Sequence, residues 1–404
     1  MAPRLSIVVL PFTNLSDDRQ QQYFADGITE DLATDLSRIV GMFVISRSTA
    51  FTYKDKRVNA KQIGRDLNVR YVLQGSVRRS GSQVRVNAQL IDTGTDAHLW
   101  AERFDHDTSD LLALQNDITT RIAVALNLEL IAAEAARRTE RPDVLEYILR
   151  ARAAAAKPPT RSSLAERVSW LDRALTLDQQ STEAQSWLAA SLAARVMDNM
   201  TDTPAIDIAR AEDLAEQALA AAPHSGLAHH AKAQVLRAQR RYAEAVSEYE
   251  MALASNRNWV LVLYALGQCK LHTGSMDQAI PLVEQAIRLS PRDPLIGLFY
   301  QQVGLVHLLQ SRTEAAVSWL EKARNTAPEL PYVHAWLASA YGLNGETERA
   351  VAELAEARRL SRDDRFSSIA RLRALGPYRV LAPKIGALFE ATLVGLRKAG
   401  MPEE

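Results

Sequence analysis

The chain has 404 residues, 47% of them hydrophobic, enough for two or three domains with sizeable cores. Its 48 Lys and Arg balance 48 Asp and Glu, so it lacks the charge excess expected of a nucleic-acid or polyanion binder. A single cysteine, Cys269, excludes an intrachain disulfide and a cysteine metal cluster.

In chain order, "LSIVVLPF" (5–12) is an apolar, β-branched run typical of a strand buried on both faces. It is too brief for a signal-peptide core. A polar loop (13–22) follows. Phe24, Ile28, Leu32, Leu36 and Ile39 then set a helical period. "MFVIS" (42–46) reads as a short strand and "NAKQIGRDLN" (59–68) as a short helix. Tyr71, Leu73 and Val77 alternate with polar residues, "RSGS" (79–82) turns the chain, and Val84, Val86, Ala88 and Leu90 alternate back. "HLWAERFD" (98–105) is a third strand of the meander. The order β-α-β-α-β-β-β-α predicts an α/β domain with a mixed sheet over residues 1–128. Its closing helix, 108–138, puts Leu111, Leu114, Ile118, Ile122 and Leu126 on one face.

Beyond that helix the strand pattern ends and the sequence repeats. Ala218, Ala252, Ala286, Ala323 and Ala357 are separated by 34, 34, 37 and 34 residues, and seven positions earlier stand Ala211, Ala245, Ala279, Ala316 and Ala350. Twelve before the last four of these come Ala233, Gly267, Gly304 and Ala338. Five after the first series come Pro223, Arg257, Pro291, Pro328 and Arg362. Two antiparallel helices approach closely only where both carry a small side chain, and Pro breaks the chain between units. Period and columns match the tetratricopeptide repeat. Ala174, 44 residues before Ala218, marks an earlier unit, with the extra residues assigned to an inserted loop near 195–207. About six helix pairs are expected over 129–362, closed by capping helices over 363–404.

Motifs for chemistry are sparse. There is no glycine-rich phosphate loop, zinc-protease helix or nucleophile elbow. His224, His229 and His230 are close in sequence, but adjacent helical residues diverge, so metal ligation is disfavoured. Asp17, Asp18, Asp26, Glu30 and Asp31 gather at the start of the first helix, where carboxylates are favoured without any metal. Arg70, Arg78, Arg79 and Arg85 near the hairpin lack interleaved aromatics, which argues for a solvated face. No cofactor is expected. The better functional surface is the groove lined by the first helix of each pair. The small-residue anchor places His230, Gln234, Arg237, Tyr264, Gln268, Leu271, Gln301, Leu305, Leu308, Tyr332 and Ser339 along it. That mixed lining suits a protein or an extended peptide. His230 and Gln268 stand where carboxylate-clamp repeats want Lys and Asn, so an internal segment is expected rather than a free C-terminus.

The stretches "SIVVLPFTNLSDD", "YFADGITEDLATDLSRI", "FVISRSTAFTYKDK", "VRYVLQGSVRRSGSQVRVNAQLIDTGTDAHLWAERFD" and "ALQNDIT" resemble the TolB amino-terminal-like domain. In particular they resemble the version that precedes tetratricopeptide repeats in the C-terminal half of bacterial adenylate/guanylate cyclases. Similar modules follow DNA-binding domains in regulators of the HilA kind. The resemblance implies a sensor or scaffold module, the regulatory half of a cyclase, or the effector half of a transcription regulator. A small ligand on the α/β domain is a further possibility. With nothing ahead of Leu5 to hold paired catalytic carboxylates, no cyclase activity is expected. No membrane-spanning run is present. The cytoplasm is the expected compartment, with the periplasm the alternative for part of a longer anchored chain.

Overall fold

The structure is a computed structural model that describes all residues except 1, 17–21, 40, 55, 57, 81–82, 108–110, 138–141, 158, 362 and 376–382. Asp17, Asp18, Arg362 and part of the 79–82 turn therefore lie outside the described residues. The chain forms two compact units, residues 1–188 with 255–258, and residues 189–254 with 259–404.

The first unit holds β1 (Ser6–Val9), β2 (Thr13–Asn14), α1 (Gln22–Ser37), β3 (Phe43–Val44), α2 (Arg47–Phe51), α3 (Ala60–Leu67), β4 (Tyr71–Ser80), β5 (Gln83–Asp92), β6 (His98–Asp107) and α4 (Leu111–Ala136). The sheet runs β3-β1-β4-β5-β6. β1 is parallel to both of its neighbours, while β4, β5 and β6 form an antiparallel meander. Residues 13–14, expected as loop, form β2, which pairs in parallel with β4. α2 is a second addition, too short to show a period. Strand alternation sends Ile7, Val9, Tyr71, Leu73, Val86 and Leu90 to one face, against Ile28 and Leu32 of α1 and Ile118, Ile122 and Leu126 of α4. Val8, Val72 and Ile91 go to the other face, against Ala50 of α2 and Ile63 of α3. β1 is thus covered on both sides, which is why it reads as an unbroken apolar run. α5 (Val144–Ala155) and α6 (Arg161–Leu177) follow. Leu149 of α5 joins the α/β core, and Arg4 bonds Asp143 at 3.0 Å and Glu146 at 3.2 Å.

The second unit begins within α7 (Thr182–Met197) and continues through α8 (Pro204–Ala221), α9 (Gly226–Ala238), α10 (Tyr242–Ser255), α11 (Val260–His272), α12 (Met276–Leu289), α13 (Ile296–Leu309), α14 (Thr313–Thr326), α15 (Pro331–Asn344), α16 (Thr347–Leu360), α17 (Ile369–Leu375) and α18 (Pro383–Lys398). All ten alanines of the two linked columns are 0% exposed, which makes them the crossing points of the helices. A Cβ on Gly267 would stand 2.8 Å from Val283, and one on Gly304 2.6 Å from Leu320, so the third column is small for the same reason. The extra residues before Ala218 are only partly a loop. The gap between α7 and α8 is residues 198–203, and the rest lengthens both helices, α7 to 16 residues against 13 in α9, and α8 to 18 against 14 in α10, α12, α14 and α16. The structure thus sets a mixed-sheet α/β domain ahead of a helical repeat solenoid.

Candidate functional site

The first helices α9, α11, α13 and α15 line one face of the repeat unit, and the structure sorts the eleven expected groove residues into two sets. Gln234, Arg237, Tyr264, Gln268, Gln301 and Tyr332 are half-buried, whereas His230, Leu271, Leu305, Leu308 and Ser339 are buried. The buried five are corrections to the expected lining. His230 lies against the rings of Trp259, 5.0 Å away, and Tyr249, 6.1 Å away. Leu271, Leu305 and Leu308 belong to a core cluster that also contains Ile385, Phe389, Leu393 and Leu396 of α18.

Ser339 is covered by α18 itself. Its hydroxyl donates to the Thr392 carbonyl at 2.5 Å. Nearby, the helices cross at Gly342 and Gly395, where an added Cβ on Gly395 would stand 2.0 Å from the Ser339 carbonyl oxygen. Only a pair without side chains lets two backbones come this near. Trp336 meets Phe389 edge-on, with centroids 5.8 Å apart. Tyr332 belongs to the same closure. It stacks on Trp336, sits edge-on to Phe366, and its Oη accepts from Arg365 Nη1 at 2.8 Å. The chain's last residues hold α17 in turn, as Ile369 N–H donates to the Pro402 carbonyl at 2.8 Å and Ala370 N–H to Glu403 at 2.9 Å.

The α9–α11 end has a different lining. Arg237 donates to Gln234 Oε1 at 3.3 Å and to Gln268 Oε1, and Gln268 Nε2 donates to Tyr264 Oη at 2.7 Å. Four of the expected groove residues therefore form one hydrogen-bonded network. Burial works against the Arg237 charge, but the neighbouring phenols and thiol hold its pKa above the ordinary arginine range. Burial pushes Tyr264 up to about 12 and Cys269 up to about 11, so both are protonated at neutral pH and Cys269 is no nucleophile.

Most of the other candidates have a structural account. His229 Nδ1 lies 2.6 Å from Glu248 and its Nε2 lies 3.0 Å from the Pro223 carbonyl. Asp26 pairs with Lys54 at 2.9 Å, Glu30 with Arg47 at 3.3 Å, and Asp31 accepts from Gln115 at 2.6 Å. Among the described residues no group of three or more His, Cys, Asp or Glu is placed to hold a metal ion. Arg70 is bonded to buried Glu134 at 2.8 Å, Arg78 and Arg85 face each other across β4 and β5, and Arg85 pairs with Asp105 at 2.6 Å. No described helix is long and apolar enough to cross a membrane.

One device went unread in the sequence. His334 Nδ1 lies 2.6 Å from Glu353 and its Nε2 lies 2.8 Å from the Pro328 carbonyl, repeating the His229, Glu248 and Pro223 arrangement 105 residues later. The same two positions hold Leu263 and Leu282 in one intervening repeat, and Tyr300 and Trp319, with centroids 5.7 Å apart, in the other. Burial opposes charge on His334, yet the Glu353 and Pro328 bonds leave its pKa above 6.5. Burial likewise opposes charge on Glu353, but His334 and Arg324 keep it below 4.5.

Comparisons with known proteins divide along the same line. Residues 3–121 match the family model "HilA/YgeH-like transcriptional regulator, second domain". Residues 207–259 and 231–294 match the tetratricopeptide repeat model, and the chain carries these repeats. A protein of Rhizobium meliloti (strain 1021) named "Putative adenylate cyclase 3" is 39% identical over 244 residues, 59% of this chain. The chain spans 41% of that relative's length. Among solved structures, the tetratricopeptide protein YrrB is 18% identical, with 50% of this chain and 96% of that one covered and a TM-score of 0.36. Pseudomonas aeruginosa PilF is 19% identical, with 54% and 90% covered and a TM-score of 0.40.

Proposed function

We propose that the chain is a non-catalytic scaffold or sensor module that binds a protein partner on the α9–α11 part of the repeat face. The observation that carries this reading is the half-buried network of Gln234, Arg237, Tyr264 and Gln268, which offers amide, phenol and guanidinium groups on a preformed helical surface. The α/β domain, of the TolB amino-terminal-like or HilA-like kind, supplies a second binding surface in this proposal. A second reading, the regulatory part of an adenylate cyclase acting with a separate catalytic domain, is supported by the name of the Rhizobium meliloti relative. The match to a transcription-regulator domain supports a third, the effector part of such a regulator. Capture from native lysate by the immobilised full chain, with Tyr264→Ala as control, tests the first. A specific partner lost with the variant is expected, and one held equally by both moves the site off this face. Assay of the pure chain with ATP or GTP and Mn²⁺ tests the absence of catalysis. No cyclic nucleotide is expected, and turnover that co-purifies with the chain overturns the proposal.

A further inference from the structure

Arg237 stands near the C-terminal end of α9, on the face shared with α11. Its hydrogen bonds go to the neutral amides of Gln234 and Gln268, and the phenols of Tyr249 and Tyr264 lie beside it. Among the described residues no carboxylate comes within ion-pairing distance of Arg237, nor of Arg240 one turn on. Asp198 acts electrostatically on Tyr264. Several neighbouring cations are matched: Lys232 with Glu216 at 3.0 Å, Arg241 with Glu244 at 2.6 Å and Lys270 with Glu250 at 3.0 Å. His272 lies near the same two charges. It stacks on Tyr242 at 4.2 Å, and burial first, then Arg237 and Arg240, depress its pKa to about 4.

A half-buried guanidinium held only by neutral acceptors is an incomplete ion pair, because removing its charge from water is costly unless an anion is supplied. The geometry points to an acidic side chain, Asp or Glu, of a bound polypeptide segment as the missing anion, with Arg237 as its counter-ion. This rests on the protein-binding reading of the α9–α11 face and names the chemistry of the partner. The planar fork of Arg237 matches both oxygens of a carboxylate and would exchange two neutral acceptors for charge-assisted ones. Gln234 and Gln268, on either side, are then released to pair with the segment's backbone. One guanidinium flanked by amides suits a carboxylate within a chain. A C-terminal carboxylate is the competing source, and the test includes it.

The test uses the full chain and pools of short peptides with randomised flanks. The central residue is Glu in one pool and Gln in another, all acetylated and amidated, and a third pool has central Gln and a free C-terminus. The Glu pool is expected to be retained at least about tenfold more than the Gln pool. Arg237→Gln should erase that preference, while Tyr264→Ala should weaken both pools. The wild-type comparison decides the matter even where Arg237→Gln fails to fold. Equal retention, no retention, a preference for the free C-terminus, or a Glu preference that survives in folded Arg237→Gln overturns the inference. Equal retention abolished by Tyr264→Ala discards the acid but keeps the groove. Retention indifferent to both substitutions discards the groove reading too.

Discussion

The two ends of the repeat face show how one architecture serves both as core and as surface. At α15 the outward positions are small, Ser339 and Gly342, and the chain's own α18 lies on them through Gly395, with Phe389 and Leu393 in the same core. At α9 and α11 the outward positions are Gln234, Arg237, Tyr264 and Gln268, long polar groups that bond one another and stay half-buried. Small residues invite a helix to pack, whereas a polar network has to be satisfied by whatever covers it. The period is the same at both ends, so side-chain size and charge decide which part is finished within the chain.

The largest expected effect comes from breaking the closed end. Gly395→Leu would drive a side chain into backbone that has no rotamer to yield, at about 3 kcal/mol or more. Urea unfolding and proteolysis of α18 check this, and unchanged stability would mean that the helices do not cross where described. Next come the shared crossing points. Ala245→Leu and Ala279→Leu, in the helices that pair with α9 and α11, should each cost about 1–3 kcal/mol. Wild-type melting by both variants would discard the repeat register.

A smaller, pH-dependent effect should come from the His334–Glu353 latch. The pKa of His334 is raised on folding, so its contribution is complete below 6.5 and is lost as pH rises through the higher folded value. The pKa of Glu353 is lowered, so its contribution is complete above 4.5 and is lost as pH falls through the folded value. The latch is therefore strongest between these limits and weakens toward alkaline pH. Replacing both residues by Leu, the pair at the equivalent positions 263 and 282, should change stability at pH 7 by less than about 1.5 kcal/mol. It should also flatten the difference between pH 5.5 and 8. A difference profile that stays as steep as in wild type would remove the latch from the account.

Much of this fold was legible because close approach leaves a mark on composition. The ten column alanines could be placed as packing residues from spacing alone, and the strand alternation at 71–90 fixed which residues face the helices. β2 and α2 were missed because two and five residues carry no period. The site was only half legible. Repeat register says which helix a residue belongs to, but not whether a neighbour covers it, so it places Leu305, Leu308 and Ser339 on an open lining, whereas α18 shares a core with the two leucines and accepts the Ser339 hydroxyl. The seat of α18 depends on Gly342 meeting Gly395, more than fifty residues away, a pairing no local pattern reveals.

The central claim is that the α9–α11 end of the face is the open one and the α15 end is closed. Its most direct test is the affinity of a captured partner for two single variants, Tyr264→Ala and Tyr332→Ala, both checked for an intact fold. Tyr264→Ala should lose roughly 1–3 kcal/mol of binding. Tyr332→Ala should bind as wild type, because that ring is packed by Trp336 and Phe366 and its hydroxyl is held by Arg365 within the α18 closure, whereas Tyr264 packs against Phe299, 4.9 Å away, and turns its hydroxyl to the groove amide of Gln268. Loss at Tyr332 with Tyr264 unaffected would contradict the account and place the partner where α18 now lies.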